Sequence, residues 1–338
     1  MSDACWPPAP SRATRITLAL LIAVGLAMTS WLRVERPFLT EGPVEYRILD
    51  DLPESPAGSD IRLVRAWHIY SRRSDFGGFS ALLALPGNRF HAFSDRGTEL
   101  SFALGPAGDA FRFDPMPEYP AYLPGYRDIE SATRDAGTGL VWLGYENDNS
   151  IRRLSPAMEE QAAVRPPAMQ GWGLNSGAEA MVRLRDGRFV VLRETMQEGL
   201  LFPGDPTAGV EPALFRFAPP DGMNPTDMVQ LPDGRVLVLV RSLRVGWPPF
   251  AARLLLADPA RIEPGKDWKW TQLADLNALA PSENYEAIAV THGKGGALHI
   301  WIMSDDNAAV IQRTLLLELE WTPDAKKGAA ARPGAPSG

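Results

Sequence analysis

The sequence predicts an all-β fold, a β-propeller of about six blades that follows an N-terminal hydrophobic signal or anchor segment. Two observations carry this expectation. First, one unit recurs along the chain: a polar or acidic residue, a short apolar run, a glycine turn, a second apolar run and a polar cluster. It is found at Ser80–Arg96, Glu130–Asp148, Glu179–Glu194, Asp227–Arg241 and Glu286–Asn307. The starts are 50, 49, 48 and 59 residues apart, and a β-rich period near fifty is the signature of propeller blades. Second, the chain holds 30 Gly and 31 Pro, which suits many turns between short strands and does not suit long helices.

Taken in chain order, the first element is Arg12 and Arg15 followed by an apolar run from Ile16 to Met28, extended weakly to Leu32. A basic start and a short apolar stretch form the layout of an export signal, and the run also reaches the short limit for a spanning helix. A cleaved signal and an uncleaved anchor therefore both stand for residues 1–33. Either one places the rest of the chain outside the cytoplasm, periplasmic or held at the inner membrane. The propeller is expected over residues 44–322. Within it, each repeated unit reads as a β-hairpin, most clearly around Arg185-Asp186-Gly187-Arg188 and Pro232-Asp233-Gly234-Arg235. Val44-Tyr46-Ile48 and Ile61-Leu63-Arg65 alternate like strands at the start, and Leu315–Trp321 is a strand candidate at the end. Pairing the two would close the ring and remove its open edges. Dividing residues 44–321 by the period gives roughly six units. Residues 323–338 are small, polar and Pro-rich, and read as a disordered tail.

Composition excludes several functions. Net charge is −7, from 34 basic and 41 acidic residues, which argues against nucleic acid as a partner. Cys5 is the only cysteine, so a Cys-ligated zinc site and a cysteine nucleophile are ruled out. The chain has no His-Glu-x-x-His, no phosphate-binding loop and no dinucleotide glycine motif. Gly78-Phe79-Ser80-Ala81-Leu82 begins like a nucleophile elbow but lacks the last glycine and opens a strand where an elbow would end one.

What remains is carboxylates and arginines. In a propeller the innermost strand lines the channel and the next returns antiparallel beside it. Residues before the first strand and after the second therefore share one mouth. Ser80, Glu130, Glu179, Asp227 and Glu286 form the first set, and Asp95-Arg96, Glu146 with Asp148, Glu194, Arg241 and Asp305-Asp306 the second. Inner carboxylates so crowded repel one another unless cations intervene. Hard oxygen donors without histidine or cysteine suit Ca²⁺, so Glu130, Glu179, Asp227 and Glu286 are the candidate metal ligands. Glu130 and Glu286 are candidate general bases, and Arg96 and Arg241 candidate contacts for a phosphate or carboxylate. The alternative for each acidic residue is a scaffold role, tying a loop to backbone N–H groups.

The blocks Phe79-Ser80-Ala81 with Phe93-Ser94-Asp95-Arg96-Gly97, Asp128-Ile129-Glu130, Asn175-Ser176-Gly177-Ala178-Glu179-Ala180 and Asn284-Tyr285-Glu286-Ala287-Ile288 with Ser304-Asp305-Asp306-Asn307 resemble the phytase-like domain family, labelled "esterase-like activity of phytase". The resemblance implies an exported β-propeller and a hydrolase of phosphate or carboxylate esters. Asp50-Asp51-Leu52-Pro53 departs from the Asp-Asp-Pro-Ala type motif of alkaline β-propeller phytases. Two functions stand at this point: metal-assisted hydrolysis of a small anionic ester, and non-catalytic binding of a ligand or protein. A monomer is expected, touching membrane only through an uncleaved N-terminal segment.

Overall fold

The computed structural model describes residues 11–12, 14, 16–21, 39, 41–56, 59–104, 110–116, 128–173, 176–244 and 246–323. The tail from residue 324 and most of the 1–33 segment lie outside them. Among the described residues no helix is long and apolar enough to cross a membrane; the apolar run is described only as far as residue 21.

Four sheets are four-stranded antiparallel meanders, each built from consecutive strands. The first holds β3 (Phe79–Leu85), β4 (Arg89–Ser94), β5 (Thr98–Ala103) and β6 (Ala110–Pro115). The second holds β7 (Ile129–Arg134), β8 (Val141–Tyr145), β9 (Ser150–Leu154) and β10 (Glu160–Val164). The third holds β11 (Ala178–Arg183), β12 (Phe189–Arg193), β13 (Glu198–Phe202) and β14 (Ala213–Arg216). The fourth holds β15 (Asn224–Gln230), β16 (Val236–Leu243), β17 (Phe250–Ala257) and β18 (Trp270–Asp275). The fifth joins the two ends of the domain. It runs β1 (Val44–Ile48), β2 (Ile61–Ser71), β21 (Thr314–Trp321), β20 (Leu298–Asp305) and β19 (Asn284–His292).

These are five blades of a propeller. Their inner strands β3, β7, β11, β15 and β19 neighbour one another in that order, and β19 returns to β3. The expected propeller is present, and so is its closure: β21 pairs β2 from Ile61↔Trp321 to Ile69↔Thr314. The blade count is five in place of about six. The strands at the two ends do not build a unit of their own but complete the fifth repeat, which makes that blade five-stranded.

The core lies between blades. Five apolar clusters each join residues of two neighbouring blades. In β16 the run Val236-Leu237-Val238-Leu239-Val240 is buried throughout, and its period-two geometry decides where each side chain goes. Val236, Val238 and Val240 pack toward the third blade, whereas Leu237 and Leu239 pack toward the fifth. Buried Trp67, Trp142, Trp172, Trp268, Trp301 and Trp321 fill the same interfaces. Trp247 does not; it is 83% exposed.

Candidate active site at the upper mouth

Each inner strand runs from one mouth of the channel, called upper here, toward the other. Near its start each carries a β-bulge, an extra residue with no partner across the ladder. The registers Phe79↔Ser94 then Ala81↔Phe93, and Ile129↔Tyr145 then Ser131↔Gly144, leave out Ser80 and Glu130. In the other three blades the same break leaves out Glu179, Thr226 and Glu286. The bulge therefore places Ser80, Glu130, Glu179, Thr226 and Glu286 at one level. Thr226, not Asp227, is the fourth blade's equivalent of the glutamates.

A second tier follows the return strands. Asp95, Glu146 and Glu194 directly follow β4, β8 and β12; Arg241 and Asp305 occupy the matching positions in β16 and β20. Glycines make room for this tier. A Cβ on Gly78 would lie 1.9 Å from Oδ1 of Asp95, and one on Gly177 would lie 2.6 Å from Cα of Glu146. Gly78 also holds φ +71°, a left-handed conformation that glycine adopts without strain.

Across the second and third blades the two tiers merge. Carboxylate oxygens of Asp128, Glu130 and Glu146 lie within 4.8 Å of one another, and so do those of Glu146, Glu179 and Glu194. Glu146 belongs to both groups. Burial, and then the charges of their neighbours, pushes the Glu130 and Glu179 carboxyls well above the usual carboxylate range. The same causes raise Glu146 to about 7. Asp95, nearby, is raised to about 6 chiefly by burial. Carboxylates this close, with Glu179 buried and the other four part-buried, repel one another when ionised, and a cation among them would relieve that repulsion.

Across the fourth and fifth blades the chemistry differs. Arg241 donates from Nε to Oε1 of Glu286 at 2.9 Å, and its Nη2 lies 2.7 Å from the same oxygen. Burial raises the Glu286 carboxyl while Arg241 opposes that shift. Asp227 is buried and its two oxygens accept from backbone amides, Oδ1 from Met228 at 2.7 Å and Oδ2 from Ile288 at 2.8 Å. It ties the fourth inner strand to the fifth, which is the scaffold role.

The mouth thus brings together Glu130 and Glu179 from the first sequence set, places Glu286 beside Arg241, and turns Asp227 to the backbone. Arg96 sits on the first blade, 3.7 Å from Asp95 and donating from Nη1 to the Phe76 carbonyl at 3.4 Å. Asp128, Glu146 and Glu194 complete the carboxylate groups. Glu146 and Glu194 were visible in sequence as residues following the return strands; Asp128 was visible only as the residue two before Glu130. Asp186 and Asp233 pair with Arg188 and Arg235 inside their own turns, as the turn reading expects. His91 and His299 stand beside Glu99 and Glu318 on blade strands, away from the mouth.

The order of blocks around this mouth decides the family. The family model described as "Esterase-like activity of phytase" matches residues 74–308, well over half of the chain. The chain belongs to the phytase-like family. That match runs from the first blade to the acidic end of β20 and contains both tiers of the mouth. No curated protein matched this phytase-like chain. Among solved structures it is similar to the endo-arabinase from Bacteroides thetaiotaomicron, at 13% identity and TM-score 0.49, over 74% of this chain and 96% of that one. It is also similar to a luciferin-regenerating enzyme, at 10% identity and TM-score 0.44, over 85% and 94% of the two chains. A protein from Lactobacillus plantarum gives 12% identity and TM-score 0.36, over 80% and 82%.

The donor set tests whether a cation fits. Every candidate ligand in the two groups is a carboxylate oxygen, with no sulfur or imidazole among them. Such a set matches a hard cation such as Ca²⁺ in type and in charge.

Proposed function

We propose that this phytase-like propeller is a cation-assisted hydrolase of small anionic esters, phosphate or carboxylate, working at the upper mouth. The observation that carries the reading is the pair of carboxylate groups sharing Glu146, whose oxygens crowd within 4.8 Å of one another and which make no salt bridge among the described residues. Asp128, Glu130, Glu146, Glu179 and Glu194 would hold Ca²⁺. When bound, Ca²⁺ supplies charge that draws in an anionic ester and lowers the pKa of water. Arg241 and Arg96 flank the carboxylate groups and orient the anionic end of the substrate. Glu286, held through Oε1 by Arg241 and outside the two groups, is the proposed general base for the attacking water.

Calcium titration of the full chain in EDTA-treated buffer tests the reading. Ca²⁺ at a hundredfold excess over its dissociation constant should add about 2.7 kcal/mol of stability. Glu146→Gln, which removes the shared ligand, should abolish most of that gain. Hydrolysis of p-nitrophenyl phosphate or p-nitrophenyl acetate should require Ca²⁺ and fall with Glu286→Gln. Stabilisation by Ca²⁺ without turnover of either ester would assign a binding propeller instead. A melting temperature indifferent to EDTA, Ca²⁺ and Mg²⁺ would remove the cation altogether.

A further inference from the structure

The upper face carries a second feature that ester hydrolysis does not use. The loops joining the return strand to the third strand of each blade all open on this face. In the first two blades they are short and polar, at residues 95–97 and 146–149. In or beside the next three stand five of the propeller's exposed large apolar side chains, the others among the described residues being Tyr46, Ile48, Tyr70 and Leu214 on outer strands. Met196 is 76% exposed, Leu243 at the end of β16 is 69% exposed and Trp247 is 83% exposed. Val310 and Ile311, in the loop between β20 and β21, are both more than half exposed. Scattered exposed apolar residues are ordinary, but one face of three adjacent blades collecting them marks an interaction surface. Tryptophan at the tip and the exposed Arg244 in the same loop suit a lipid headgroup boundary, where an amphipathic ring and a cation both find partners.

The path of the chain selects the occupant. Strand β2 ends at the upper face, since Ile69 pairs Thr314 just after the loop between β20 and β21. Val44 pairs Ser71, so β1 starts at that same face. Residues before it are fixed there as well. The Ser74 amide donates to the Leu39 carbonyl at 2.9 Å, and Ser71 Oγ donates to the Pro43 carbonyl at 2.9 Å. The chain that precedes β1 therefore reaches the propeller at the upper face, at Leu39 to Pro43, and the residues upstream of it, helical and exposed over residues 16–21, are tethered to that face. From Leu32 to Leu39 an extended chain spans at most about 25 Å. An anchored run would hold this face, and not the lower one, against the bilayer.

We infer that the upper face docks on a lipid surface, with Trp247, Leu243, Met196 and Ile311 seated in the headgroup boundary and the acidic mouth turned toward the membrane. This does not depend on the cation reading, because the apolar crown lies on loops that hold none of the grouped carboxylates except Glu194. The ligand reaching the mouth would then be one presented at, or released from, the lipid surface.

Site-directed fluorescence on the full chain tests it. With Cys5, the only cysteine, replaced by serine, single cysteines are introduced by Trp247→Cys, Ile311→Cys and Lys294→Cys and labelled with an environment-sensitive dye. Lys294 lies in the turn between β19 and β20, at the lower face. The protein is reconstituted in vesicles of phosphatidylcholine and phosphatidylethanolamine, with and without brominated acyl chains. Labels at 247 and 311 should shift to the blue and be quenched by brominated lipid, whereas the label at 294 should stay aqueous. Because 247 and 311 are exposed on separate loops, one poorly folding variant leaves the other to decide. Aqueous emission from both upper labels, or failure of the chain to associate with vesicles, would overturn the inference. So would equal quenching of the label at 294. EDTA should leave the pattern unchanged, which separates this result from failure of the cation reading.

Discussion

Blades two and three present the same tiers at the upper mouth as blades four and five, built on the same bulge, yet the two halves solve the charge problem in opposite ways. In the second and third blades glutamates face glutamates, and the oxygens of Glu146 serve two groups. In the fourth and fifth blades the bulge holds Thr226 and Glu286, and the tier above holds Arg241, which binds Glu286 directly. One half is internally neutralised. The other has no salt bridge to its grouped carboxylates among the described residues, although Arg241 draws the Glu179 carboxyl down from the neighbouring blade. A shared backbone geometry thus supports a finished salt bridge on one side and a carboxylate cluster that needs an external cation on the other, and only the second is suited to hold a metal.

Breaking the neutralised half should have the largest effect. Arg241→Gln leaves Glu286 buried beside Glu194 and Glu179 without its partner. Loss of one partner from a buried pair costs about 3–5 kcal/mol, which urea unfolding would read as a lower midpoint. A change under about 1 kcal/mol would mean the pair is solvated and the contrast between halves is overstated. If the contrast holds, Ca²⁺ should recover more stability in Arg241→Gln than in the parent, because the variant extends the cluster.

Asp227→Asn comes next. One carboxylate oxygen becomes an NH₂ group facing a backbone N–H, so one of the two amides of Met228 and Ile288 loses its acceptor. An unsatisfied buried donor costs about 1–3 kcal/mol. Since neither carboxylate group includes Asp227, the Ca²⁺ response should survive; a lost response would return Asp227 to the cation site.

The pH dependence sharpens the other half. Glu146 rises from its ordinary 4.5 to about 7 and Asp95 from 3.8 to about 6. Each holds its proton more tightly when folded, so the folded state binds more protons between those limits. Stability of the metal-free protein should therefore fall as pH rises from about 4 to about 7. Thermal melts in EDTA would show the decline, and saturating Ca²⁺ should flatten it. A metal-free melting temperature that rises across this window would contradict the burial of the cluster.

The smallest effect is expected at Thr226→Ala. The hydroxyl donates to the Tyr285 carbonyl at 3.3 Å, and its loss should cost about 0.5–1.5 kcal/mol. Thr226→Glu is the sharper variant. It gives the fourth blade the carboxylate that the second, third and fifth carry, in the blade that also carries Arg241.

Much of this molecule is legible in its sequence because it rests on local signals. The hairpins follow from apolar runs around Asp186-Gly187 and Asp233-Gly234, the repeat from the spacing of those hairpins, and ring closure from unmatched strands at residues 44–65 and 315–321. The crowding of both residue sets at one mouth follows from strand direction alone. The tertiary structure decided what depends on register and on distant neighbours. A bulge is set by which residues pair across the ladder, so sequence phase aligned Asp227 with the glutamates while the pairing chose Thr226. Arg241 and Glu286 are 45 residues apart and Asp227 and Ile288 are 61 apart, so whether a carboxylate meets a guanidinium, an amide or another carboxylate is fixed only when neighbouring blades pack. The blade count was decided in the same way, because two chain ends that each look like part of a unit gain more by completing one sheet than by leaving two open edges.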